Sequence, residues 1–199
     1  MLDSYGPASS VADALGVYYL KNGFSADGGA SDRWVRFAFG PLQIIFPNTD
    51  GRRRAIRHHD VHHITTAYQT TFIGEGEIGA WEIASGCATR PAAWFLNSVA
   101  LSGGILGSPR RVLKAYARGL HTRNTYTRTL DDLGSLTVAD LRHELGLDRD
   151  GPEPTLGETL AFGLVAVRSG LFCGLPALAI FLGPALITTA WVAARRSRP

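Results

Sequence analysis

Residues 57–77 read RHHDVHHITTAYQTTFIGEGE and hold four of the six histidines of the chain together with one aspartate and two glutamates. Imidazole and carboxylate are the donors that bind zinc and the other first-row divalent ions, so the chemistry this stretch offers is metal coordination. On a helix with about 100° per residue, His59 and His63 lie about 40° apart and one turn apart, and can converge on one ion. Asp60 falls about 60° from His63 and about 100° from His59, so the three form a fan of about 100°. Glu75, after Gly74 at the start of the next helix, supplies a fourth ligand if the two helices pack antiparallel across their short connection. His59, Asp60, His63 and Glu75 suit zinc, and equally accept iron, manganese or cobalt. His62 lies about 60° to the other side of His59, and with His58 it reads as a supporting or exposed residue. Glu82 shares a face with Glu75 but sits about 10 Å further along the axis, out of reach of the same ion. Glu77 points the other way, towards solvent.

These residues need helices to hold them. Before the C-terminal tail the chain reads as mainly α, with a metal site between two helices. SSVADALGVYYLKNGF predicts a helix over 9–21, opened by serine caps and closed at Asn22-Gly23. WVRFAF and LQIIF, on either side of Gly40-Pro41, predict a small hairpin or extended pair. Asn48, Thr49 and Asp50 then cap a long helix that runs through the histidines. A second helix runs from Glu75 to about Ser85 and closes at Gly86, and further helices start at Pro91, Pro109 and Thr137. The sequence divides into a helical metal-binding domain (1–150), a linker in DRDGPEPTLG (151–157) and a hydrophobic segment (158–199).

That last segment sets the surroundings. Ser169 to Ala194 contains no charge, and as one helix would extend about 39 Å, enough for a hydrocarbon core of about 30 Å. Trp191 and the basic ARRSRP resemble an interfacial anchor. Pro176 and Pro184 interrupt the run, so a single membrane helix and a helical hairpin both stand; the hairpin returns the basic tail to the cytoplasmic side. The N-terminus lacks the pattern of a secretion signal, which places the domain on the cytoplasmic side of the inner or plasma membrane. Cys87 and Cys173 have no partners at metal-ligand spacing and form no disulfide framework. The basic clusters Arg52, Arg53, Arg54, Arg57 and Arg110, Arg111, Lys114, Arg118, Arg123 read as solvated faces, or as contacts for anionic lipid or an acidic substrate; no nucleic-acid partner is expected.

Two families with related signatures do not fit. HDVHH contains the H-x-x-H-H box of membrane di-iron desaturases, which need about eight histidines where this chain has six. The His59-Asp60 doublet is shared with HD-type phosphohydrolases, which need an upstream histidine, and none precedes His58. His59-Asp60-x-x-His63, eleven residues, then Glu75 resembles the H-D-x-x-H-x(11)-E motif of the coenzyme Q biosynthesis family called Coq-four. FPNT at Phe46–Thr49, the arginine run and GEGEIGAWEIASGC extend the resemblance over roughly Ser9 to Leu147. It implies an all-helical, membrane-associated protein that binds a divalent metal, usually zinc, through His59, Asp60, His63 and Glu75. It further implies removal of the ring carboxylate, with oxygenation at that carbon, from a polyprenylated hydroxybenzoate-type precursor of ubiquinone or a related quinone. The implied partners are that prenylated aromatic lipid, membrane lipids, other quinone-biosynthesis proteins and a further copy of the chain in a homo-oligomer. The apolar C-terminal segment departs from the family, whose members are typically peripheral. A non-catalytic, lipid-binding scaffold with a structural metal is the alternative: two carboxylates make the ion a mild Lewis acid, better at holding a phenolate or carboxylate than at making hydroxide.

Overall fold

The computed structural model describes residues 5–39 and 42–173. The turn at Gly40-Pro41 and the apolar run after Cys173, with Trp191 and the basic tail, lie outside the described residues, and so does the choice between one span and a hairpin. The architecture is mainly helical.

Helix α1 (Val11–Lys21) starts where Ser10 accepts from the Asp13 amide and returns its hydroxyl to the Asp13 carboxylate, a reciprocal cap. Its inner face buries Val11, Ala14, Tyr18 and Tyr19. Strands β1 (Trp34–Phe39) and β2 (Leu42–Pro47) pair antiparallel, with Trp34 opposite Pro47. Asn48 then anchors the hairpin to the preceding loop, its amide donating to the carbonyls of Gly29 and Asp32 at 2.9 Å.

Thr49 caps α2 (Asp50–Thr66), the helix of the histidines. Its last carbonyls are not left unpaired: Arg142 donates to Thr65 O and Arg118 to Thr66 O, cations at the negative end of the helix dipole. Ala67, in the left-handed region at φ 64°, turns the chain, and Thr71 caps α3 (Phe72–Ser85). Helix α3 thus begins three residues before Glu75, which falls in its first turn, where a carboxylate is favoured.

Helices α4 (Pro91–Gly107) and α5 (Pro109–Leu120) clamp α3. The α3–α4 crossing is backbone to backbone: a Cβ on Gly76 would lie 2.4 Å from the Gly104 Cα. Helix α2 packs mainly on α1, α4 and α7 and touches α3 far less than α4 and α5 do. The short α6 (Leu130–Gly134) is opened by Thr129 and Asp132, and α7 (Val138–Leu145) by Thr137 and Asp140.

The 151–157 stretch is largely exposed, with Gly151 beside the Arg118 side chain and Glu153 paired to Lys114. Helix α8 (Leu156–Cys173) begins two residues before the expected boundary because Thr155 and Glu158 cap it reciprocally. Its length and composition are sufficient to cross a membrane.

Candidate metal centre

The two helices bring His59, His63 and Glu75 together: one ligand atom from each lies within 4.8 Å of the others. His59 Nε2 is 3.2 Å from Glu75 Oε2, His63 Nε2 is 3.3 Å from Glu75 Oε1, and the two Nε2 atoms are 3.1 Å apart. Asp60 is not part of that group. Its carboxylate is buried and accepts from the Tyr19 hydroxyl at 3.1 Å. Burial raises the Asp60 pKa to about 6, against the pull of His59, His63 and the Tyr19 hydrogen bond.

The protonation of both imidazoles follows from what surrounds them. His63 Nδ1 faces the Tyr68 carbonyl at 2.9 Å, which can only accept, so Nδ1 carries a proton and Nε2 is the nitrogen left to the cluster. His59 Nδ1 lies 2.9 Å from Glu82 Oε1. Glu82 is 0 % exposed, and four donors saturate it. His59 and His62 donate to Oε1, while Asn97 at 2.5 Å and the Tyr126 hydroxyl donate to Oε2. Burial alone would protonate Glu82, but the imidazoles of His59 and His62 beside it hold its carboxyl well below the usual range. It is therefore an acceptor for His59 Nδ1–H, and Nε2 is the His59 nitrogen left to the cluster.

Two bare imidazole nitrogens and a carboxylate converging at about hydrogen-bond distance repel one another unless a cation lies among them. The protein can place a proton there: burial resists charging His59, yet Glu82 and Glu75 outweigh it and raise its pKa well above the ordinary value. A divalent ion suits the same place better, since Glu75 and Glu82 together carry two negative charges. The donor set of two imidazoles and one carboxylate, with the Nδ1 atoms fixed by a carboxylate and a backbone carbonyl, fits a divalent metal.

His58 and His62 are buried, not exposed, and Glu82 is the functional residue that spacing did not assign. A one-way hydrogen-bond chain explains them. Arg90, which can only donate, faces His58 Nε2 at 3.4 Å; His58 Nδ1 faces Thr125 Oγ1 at 2.9 Å. The Thr125 amide and hydroxyl face His62 Nε2 at 3.0 and 2.8 Å, and His62 Nδ1 meets Glu82 Oε1 at 2.7 Å. The Thr125 N–H can only donate, so His62 must carry its proton on Nδ1 and give it to Glu82. Burial, then the neighbouring His62 and Arg90, push the His58 pKa down to about 3, so it stays neutral. The sequence does carry a signal for this network: Glu82 is a lone charge in the apolar stretch IGAWEIASG, and such a charge is buried only with donors around it.

Glu77 corrects a second expectation. It is buried rather than solvated, because Arg111 of α5 grips it at 2.9 and 2.6 Å. Of the packing residues expected between the ligand helices, Ile64, Ile78 and Trp81 are buried, whereas Phe72 is half exposed.

Removing the Tyr126 hydroxyl (Tyr126→Phe) is expected to weaken metal binding about 10- to 100-fold without stripping a ligand, as titration against a competing chelator would measure. His62→Ala is expected to leave the metal bound but to lower the melting temperature, since it leaves Glu82 and Thr125 with unmet buried groups.

Comparison with protein-family models, with curated proteins and with solved structures yields no match for this chain.

Proposed function

We propose that this chain is a divalent-metal-dependent, membrane-associated enzyme acting on a prenylated aromatic acid of ubiquinone or related quinone biosynthesis. The observation that carries the metal-dependent part is the convergence of the His59 and His63 Nε2 atoms on the Glu75 carboxylate. Three converging protein donors leave room for water or substrate, the pattern of a catalytic rather than a closed structural site. The substrate class rests on the His59-Asp60-x-x-His63-x(11)-Glu75 motif and its flanking residues. An apolar α8 accords with a substrate whose prenyl tail stays in lipid.

In this reading the ring carboxylate of the para-hydroxylated acid leaves as carbon dioxide, one atom of dioxygen is placed on the same carbon, and the other leaves as water as the ring passes to the quinone level. His59, His63 and Glu75 hold the metal, and Asp60, the remaining motif residue, lies beside them with its carboxylate bonded to the Tyr19 hydroxyl. The metal is zinc, with iron, manganese and cobalt as the other ions this donor set accepts; when bound it supplies a positive charge that orients a phenolate or carboxylate. Glu82 fixes the tautomer and direction of His59, and Tyr18, stacked on His63 at 5.6 Å between ring centroids, covers that ligand. The domain lies on the cytoplasmic face of the membrane.

Lipid extracts of cells lacking the gene are expected to accumulate a carboxylated prenyl-aromatic intermediate, cleared when the wild-type chain is restored. An unchanged lipid profile, by mass spectrometry, would rule out this substrate class.

A further inference from the structure

The exposed large apolar side chains of α8 and α4 form a band. On α8, Leu156, Leu160, Leu164, Val167 and Leu171 recur every three or four residues and are all exposed. Phe162 and Ser169, between them in sequence, are buried, with Phe162 on Tyr116 of α5 at 5.4 Å between ring centroids. Helix α8 is therefore laid along the domain over its described length, with its apolar stripe outward. Its far end meets α4: Arg168 sits over the Trp94 ring at 5.4 Å, and Phe172 meets Phe95 edge-on at 5.9 Å.

From that contact a second stripe continues along α4. Phe95, Val99 and Leu106 fall within about 40° of one another around the helix, and are 45 %, 44 % and 88 % exposed. The stripe ends beside the first turn of α3. Gly103 and Gly107 pack on Phe72 and Ile73 in the first turn of α3, the turn that carries Glu75, whose side chain is 38 % exposed.

A contiguous apolar band marks an interaction surface, where scattered apolar residues would not. Its continuity with a helix fit to cross a membrane, through the Phe95–Phe172 contact, identifies the partner as lipid. Charge agrees. Helix α4 has no charged residue in its seventeen, and Arg110 follows at the head of α5, placed for an anionic headgroup, beside Arg111, whose charge is taken up by Glu77.

We infer that α4 is bedded in the apolar layer of the bilayer alongside α8, so that the mouth of the metal cluster at Glu75 opens sideways into lipid. The importance of that mouth rests on the metal-site reading above; the bedding of α4 does not.

The test uses the full chain carrying Cys173→Ala, in which the remaining Cys87 is fully buried, with a nitroxide label on one added cysteine at position 99, 106, 164 or 149, in vesicles of phosphatidylcholine and phosphatidylglycerol. Labels at 99 and 106 are expected to collide with oxygen in preference to a water-soluble nickel chelate, as the label at 164 on α8 does, while that at 149 favours nickel. Labels at 99 and 106 that stay in water while 164 lies in lipid would overturn the inference. So would spin–spin broadening at 99 and 106 between molecules, which would make a second copy the occupant. Metal stoichiometry on the same samples separates the two readings: lipid-buried labels on a chain that binds no divalent metal would sink the metal centre alone.

Discussion

Glu75→Gln is expected to strip the metal from the purified protein, to abolish complementation of a strain lacking the gene, and to melt where the metal-free wild type melts. Glutamine keeps the shape and one oxygen but loses the charge that balances the ion, and it can turn an amide N–H towards the bare nitrogens of His59 and His63. The loss should exceed the about 10- to 100-fold typical of a partner behind the ligands. Glu75 is part exposed at the head of α3, so its exchange leaves no deeply buried group without a partner. Full complementation by a variant proven metal-free would discard the enzyme in favour of a scaffold. A variant melting far below the metal-free wild type would show Glu75 to be structural in its own right.

The largest effect on stability is expected from Gly104→Val. A Cβ there would lie 2.6 Å from the Gly76 Cα and 3.1 Å from Val112 Cγ2. A helix axis, not a side-chain tip, has to move. Overpacking of this kind costs about 3 kcal/mol at the upper end of its usual range, a large share of the roughly 5–15 kcal/mol that hold a domain together. Gly16, in the middle of α1, has no atom within 4 Å of an added Cβ, so Gly16→Ala should stabilise by about 0.5–1 kcal/mol. Urea unfolding of the two variants checks both, and similar midpoints would refute the account of the α3–α4 crossing.

Much of this arrangement was legible along the chain, because local chemistry decides it. Ser10, Thr49 and Thr137 are caps that act on amides three residues away, so the starts of α1, α2 and α7 could be placed closely. The 40° separation of His59 and His63 follows from helix geometry alone. What escaped depends on tertiary packing. Helix α3 starts at Phe72 because Thr71 caps it, although Gly74 looks like a boundary. Glu77 is buried because Arg111 arrives from α5, thirty-four residues away. Asp60 turns to Tyr19 rather than to the cluster because α1 packs beside α2. Glu82 was judged by its distance along α3 from Glu75, which is correct for a shared ion; it acts through the other nitrogen of His59, which spacing cannot reveal.

The unequal packing of the two ligand helices has a mechanical outcome. Helix α3 is wedged between α4 and α5 at backbone contact, while α2 packs on α1, α4 and α7 and meets α3 through the histidine–glutamate contacts and His62 on Trp81. An ion held by His59 and His63 from one side and Glu75 from the other works as a clasp across that seam. Binding free energy gained only in the closed form is then also closing free energy. Chelation should therefore raise amide hydrogen exchange in the last turns of α2 and around Tyr68, while α3, α4 and α5 stay protected as one block.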